Sequence, residues 1–162
     1  MMNNNEPPNQ ASEASSDGHF AEHDFDPEKL KLQVRVTLAA DRNSVEPVVA
    51  QVMDKIRELN CLDGKEDAIE LALQEALANA VVHGAKEDPS KTVECLVACD
   101  EARGVLIIVR DPGTGFDPDA IPTCTVGENV YSNHGRGIFL INQLMDKVEF
   151  RKNGTEIHMV KR

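Results

Sequence analysis

Apolar residues along the chain change their spacing several times, and each change marks an element. Between residues 31 and 38, Leu32, Val34, Val36 and Leu38 alternate with Lys31, Gln33, Arg35 and Thr37. That period of two predicts a half-buried strand. Val45, Val48, Val49, Val52, Met53, Ile56 and Leu59 then follow helical spacing, with Ser44 as the expected N-cap, Pro47 in a first turn that tolerates it, and an end near Asn60. Asp63 and Glu66 form a capping-box pattern ahead of a second helix over 65–83, which Gly84 should stop. Residues 92–99 alternate again, whereas 105–110 are almost all aliphatic and should form a central strand. A loop rich in glycine and proline leads to a short helix over 137–146. Two strands, 148–151 and 155–161, close the chain around an Asn153-Gly154 hairpin turn.

The resulting order, β-α-α-β-β-α-β-β, groups strands in hairpins and supplies enough helix to cover one side of them. The expected class is α+β: a two-layer α/β sandwich whose mixed, mostly antiparallel sheet carries helices on one face. A doubly wound sheet would alternate strand and helix throughout, and this chain does not. No internal repeat is present.

Composition adds a boundary. Of 162 residues, the first 28 contain Glu6, Glu13, Asp17, Glu22, Asp24, Asp26 and Glu28 with no Lys or Arg, so most of the net charge of -11 resides there. Few aliphatics accompany those acids, and residues 1–28 are expected to be a disordered acidic tail ahead of one domain over 29–162. His19 and His23 in that tail lack a helix to give their spacing meaning. With no basic stripe, one Tyr and no Trp, the chain offers nucleic acid little to bind. The longest aliphatic run, 105–109, is far below the roughly 20 residues of a membrane span, and the first residues are polar where a signal peptide is apolar. A cytoplasmic protein without membrane contact is therefore expected. Cys61, Cys95, Cys99 and Cys124 form no CxxC pair, and buried reduced thiols are the reading. Cys95 and Cys99 should share one strand face as small apolar fillers.

Three pieces of the chain carry chemistry. Two common phosphate motifs are absent: Leu59 stands where a P-loop ending at Gly64-Lys65 needs its first glycine, and Pro118 stands where a Rossmann fingerprint starting at Gly113 needs its third. On the second helix, Glu75, Asn79 and His83 recur every four residues and so share a stripe. Asn79 can offer a neutral oxygen to Mg2+, and Glu75 can orient or deprotonate a nucleophile; a solvated helix face shows the same pattern. Asp111-Pro-Gly113-Thr-Gly115-Phe116 follows the most apolar strand. Its carboxylate can accept from an exocyclic amine such as that of adenine, and its glycines let backbone approach a flat ligand, although a plain turn would read alike. In Gly135-Arg136-Gly137, glycines and a cation at a helix start suit phosphate, as they also suit an ordinary helix beginning.

Taken together, QEALANAVVHG, DPGTGF and GRGIFLI resemble, in order and context, the N, G1 and G2 boxes of the GHKL ATPases: gyrases, heat-shock chaperones, histidine kinases and mismatch-repair ATPases. Within that superfamily, the NAxxHG ending and the GIFLIxxLMD-like helix resemble the stand-alone anti-sigma-factor serine/threonine kinases over residues 31–162. The resemblance implies a Bergerat-type ATP-binding fold with ATP and Mg2+ as cofactors. It implies Glu75 as catalytic base, Asn79 as Mg2+ ligand and Asp111 as reader of adenine. Gly113 and Gly115 would shape the adenine pocket, while Gly135, Arg136 and Gly137 would contact phosphates. Thr155 would support the adenine contact through water, and His83 would lie beside the nucleotide. A lid over about 117–134 would close on the nucleotide. The implied partners are a sigma factor and an anti-sigma-factor antagonist, which such a kinase phosphorylates, in a homodimeric protein. A nucleotide-dependent sequestering module without transfer remains an alternative. A histidine-kinase catalytic domain is another, and it would need a dimerising helical hairpin that residues 1–30 lack.

Overall fold

The computed structural model describes residues 30–61, 64–100, 103–117 and 133–162. The acidic tail, Asp63 of the capping box, Cys124 and nearly all of the expected lid lie outside them.

Strand β1 (Leu30–Ala39) leads through a short 3-10 turn (Arg42–Ser44) into α1 (Val45–Glu58). The cap differs from expectation. Asp41 caps this turn, its side chain accepting from Asn43 N–H at 3.0 Å, and Ser44 makes no side-chain cap. The turn moves the free backbone donors upstream, where Asp41 reaches them first. Helix α1 buries Val45, Val48, Val49, Val52, Met53 and Ile56, the face its spacing predicts.

Helix α2 (Glu66–Asn79) buries Ile69, Ala72, Leu73, Ala76 and Leu77. The helical stretch expected to reach residue 83 changes character after Asn79, where Ala80–Gly84 form a π-helical turn. Ala85 N–H bonds Ala80 O at 2.8 Å across it. Such wide turns displace the backbone that follows and are frequent at functional sites. Lys86 and Glu87 come next, both with positive φ (54° and 55°). An ion pair between Arg42 and Glu87 ties this segment to the 3-10 turn.

Strands β2 (Thr92–Asp100) and β3 (Gly104–Arg110), helix α3 (Asn133–Leu144), and strands β4 (Lys147–Arg151) and β5 (Glu156–Lys161) complete the order. The sheet runs β1-β2-β3-β5-β4, and each of these pairings is antiparallel. The expected central strand is central: β3 is buried from Val105 to Val109. Helix α3 starts at Asn133 rather than 137, so Gly135 and Arg136 sit in its first turn instead of preceding it. The β4–β5 connection is longer than a two-residue hairpin, with Lys152, Asn153 and Gly154 consecutively at positive φ.

One core fills the space between the sheet and the helices. Val93, Cys95, Val97, Cys99, Val105, Ile107, Val109 and Met159 meet the apolar faces of α1 and α2 there, together with Ile141 of α3. Alternation places Leu96, Ala98, Leu106, Ile108 and Val160 on the opposite face, where they form a second cluster. Among the described residues no helix is long and apolar enough to cross a membrane.

The cysteine reading needs correction. Cys61, just after α1, and Cys99, in β2, form a disulfide with Cα atoms 6.4 Å apart and a sequence separation of 38. Folding brings the loop end onto the strand, a proximity that no sequence spacing reveals. Cys95 is free and buried, and burial pushes its thiol up to about 12.

Candidate functional site

Asp111 emerges where β3 leaves the core. Its N–H donates to Thr155 O at 2.9 Å, extending the β3–β5 pairing by one step. Gly113 N–H donates to Asp111 Oδ1 at 2.8 Å and fixes the carboxylate. Burial raises the Asp111 pKa above its ordinary value, and the Gly113 hydrogen bond opposes that rise. Two glycines make the position possible. A Cβ on Gly84 would lie 2.3 Å from Asp111 Cγ, and one on Gly113 would lie 2.4 Å from Gly84 O. The π-turn thus delivers side-chain-free backbone onto the carboxylate.

The loop that follows is stitched to the β4–β5 turn. Phe116 N–H donates to Asn153 O at 2.8 Å, and the Phe116 ring meets Phe150 edge-on with centroids 5.3 Å apart. Gly115 (φ 82°) has no room for a side chain, because a Cβ there would sit 1.9 Å from Asn153 O. Thr155 Oγ1 donates to Lys152 O at 2.8 Å, which leaves the hydroxyl lone pairs available as acceptors.

These segments enclose a cavity of about 370 Å³. Asn79, His83, Asp111, Gly115 and Thr155, five of the residues singled out in the sequence, line it together. Its apolar lining comes from Ala76 and Ala80 of the helix, Val109 and Ile157 of the sheet, Ile138 of α3, and the two phenylalanines. A flat aromatic ring fits such walls, with Asp111 as the acceptor at the polar end.

Glu75 lies beside this cavity rather than in its lining. A Cβ on Gly137 would stand 2.9 Å from Glu75 Oε2 and 3.0 Å from Asn79 Nδ2, so the carboxylate and the amide press together on α3 at the one residue with no side chain to exclude them. Gly137 thereby supplies close approach. Gly135 is buried and Arg136 exposed in the first turn of α3, where backbone N–H groups point beyond the helix end.

Sequence reasoning missed several contributors. Gly84 was expected only to end a helix, yet its lack of a side chain admits Asp111. Lys86 and Phe150 also line the cavity, and no motif marks them; Ile138, within GRGIFLI, lines it too, though no role was read for it. For Lys86 the signal would have been the left-handed turn after the π-segment, which spacing does not encode.

Among the described residues no cluster of three or more His, Cys, Asp and Glu is placed to hold a metal. Mg2+ needs no such cluster, since it keeps several waters and takes one or two protein oxygens alongside substrate phosphates. The Asn79 amide beside Glu75 fits that donor requirement.

Residues 38–161, which contain all of these positions, match the family model described as histidine kinase-like ATPase domain. The chain belongs to this family. Nucleotide binding accompanies an ATPase domain of this histidine kinase-like kind. Relatives narrow the comparison. The domain is 29% identical over 133 residues to the anti-sigma F factor of Bacillus cytotoxicus, covering 78% of this chain and 80% of that protein. It is 28% identical to the anti-sigma F factor of Bacillus thuringiensis over the same shares. Identity to the serine-protein kinase RsbW of Bacillus subtilis is 33% over 102 residues, covering 57% of this chain and 62% of that protein.

Proposed function

We propose that this histidine kinase-like domain is an ATP-dependent serine/threonine protein kinase of the anti-sigma-factor kind, which holds a sigma factor and phosphorylates its antagonist. The observation that carries the reading is that Asp111 and Asn79 line one cavity, with Glu75 beside Asn79 against Gly137. Relatives named anti-sigma factor and serine-protein kinase support the choice of acceptor and partner.

In this reading the Asp111 carboxylate accepts from the adenine amine, with Thr155 assisting through water and Gly113 and Gly115 keeping the pocket open to the ring. His83 lines the wall beside the nucleotide. The first turn of α3, through Gly135, Arg136 and the close approach allowed at Gly137, faces the phosphates. Asn79 would hold Mg2+, whose charge offsets that building on the γ-phosphoryl oxygens. Glu75 accepts the proton of a partner's serine or threonine hydroxyl as that oxygen bonds to the γ-phosphorus. The bond to the bridging oxygen breaks, and ADP departs.

Glu75→Gln tests the assignment. Calorimetry should show ATP affinity within about threefold of the parent, while phosphoryl transfer to the antagonist falls about 10²–10⁴-fold, the usual worth of a general base. Transfer at the parental rate by this variant would reject Glu75 as the base.

A further inference from the structure

The π-turn that brings Gly84 onto Asp111 also sets the residue two positions later. Lys86 lines the cavity and, among the described residues, is its only Lys or Arg, as Asp111 is its only Asp or Glu. No ion pair joins the two, and the Lys86 ammonium has no hydrogen-bond or ion-pair partner among the described residues. The adjacent acids are already engaged. Glu87 pairs with Arg42, and Asp88 Oδ1 accepts from Ser90 N–H at 3.0 Å and from Ser90 Oγ at 2.6 Å.

The backbone under Lys86 is fixed at a cost. Lys86 and Glu87 both hold positive φ (54° and 55°), tied by Ala85 N–H to Ala80 O at 2.8 Å and by Glu87 N–H to Val81 O at 2.9 Å. Glycine takes that conformation freely, whereas other residues held in it cluster at ligand clamps. Lys152, another lysine at positive φ, has Glu156 at 2.8 Å as its partner. Lys86 is placed as firmly, with its charge unengaged.

We infer that Lys86 binds the nucleotide through the phosphate next to the sugar, which rests on the cavity being the ATP site. Lys86 and Thr114 are exposed where Val109 and Ile157 are buried, so the lysine stands at the rim. A ring seated in the apolar depth against Asp111 leaves its sugar and phosphates at that rim. Asp111 and Glu75 repel a polyphosphate, and an ammonium at the mouth offsets them. Its compact charge on a flexible stem suits phosphate oxygens. Lys86 follows Gly84, on the Asp111 side of Asn79, so the first phosphate is the one within reach, and the outer phosphates fall to Asn79 and the first turn of α3.

Calorimetry on the full chain with ADP, AMP and adenosine tests this. Lys86→Met, which keeps the aliphatic stem, should weaken ADP about 3–10-fold and flatten the salt dependence of its binding, with adenosine within about twofold of the parent. AMP, which carries only the first phosphate, should lose the same factor as ADP. Lys86→Arg should restore most of the ADP affinity. Lys86→Gly should weaken ADP as Lys86→Met does while unfolding at or above the parental temperature, because glycine relieves the backbone. Unchanged ADP affinity in Lys86→Met rejects the role of Lys86, and equal losses for ADP and adenosine reject it in favour of a contact to the base or a structural part. A loss confined to ADP overturns the assignment to the first phosphate. A parent that binds none of the three ligands rejects the ATP-site reading itself.

Discussion

Asp111 shows how one side chain can be expensive for the fold and, in the proposed reading, serve a ligand. Burial raises its pKa, so the ionised form opposes folding and awaits a partner that makes use of it. Asp111→Ala should therefore cost ATP about 10–100-fold in affinity by calorimetry, the worth of about 1–3 kcal/mol for an unmet buried hydrogen bond. In the parent, affinity should decline on acidification at a higher pH than an ordinary aspartate would give, and the variant should lack that dependence. Asp111 was legible in the sequence because a carboxylate directly after an all-aliphatic strand must surface at the end of the core. Lys86 was not, because its place depends on the π-turn upstream.

At the scale of elements, the turn at Ala80–Gly84 positions the site, and Gly84 is its critical residue. Gly84→Ala should destabilise the domain by about 1–3 kcal/mol through overpacking and should weaken nucleotide binding at the same time. Urea unfolding and calorimetry on one preparation would measure both. The disulfide is the other device of this scale. Cys61→Ser should lower unfolding free energy by about 2–4 kcal/mol, the usual effect of releasing a loop of this size. Unfolded, unreduced parent should in turn show Cys61 and Cys99 protected from alkylation. Helical and strand spacing disclosed which faces of α1, α2 and the strands are buried, since those periods follow directly from backbone geometry. They could not disclose where an α-helix widens or which cysteines meet, since both depend on what packs alongside.

For the whole molecule, acid stability should reflect a network on the outer sheet face. Arg110 Nε stands 3.0 Å and Lys152 Nζ 2.8 Å from Glu156 Oε2, while His158 contacts the other oxygen. Burial of Glu156 disfavours its charge, but hydrogen bonds from Lys152, His158 and Arg110 outweigh that and hold it at about 2. The unfolded carboxyl, near 4.5, binds its proton first, so this contribution is complete above that pH and is lost on descent toward 2. His158 is lowered by burial from 6.5, so the unfolded chain also takes up a proton before the folded one as pH falls below that value. Asp111, raised instead, works the other way and favours the fold at low pH. Chemical denaturation between pH 7 and 3 should show stability falling in two stages, and Glu156→Gln should remove the lower one.

Local pattern alone determined the class of fold, the central place of β3, the buried faces of the helices and the three motifs that meet at the cavity, because periodicity and backbone freedom act over a few residues. The sequence also named Glu75 and Asn79 as neighbours on one helix stripe. Only the tertiary structure decided that Gly137 admits them to α3, that Gly84 makes room for Asp111, that Cys61 reaches Cys99, and that an apolar sheet face far from the helices is buried. Each of these is an approach between distant segments, and its geometry is set by packing that no local spacing contains.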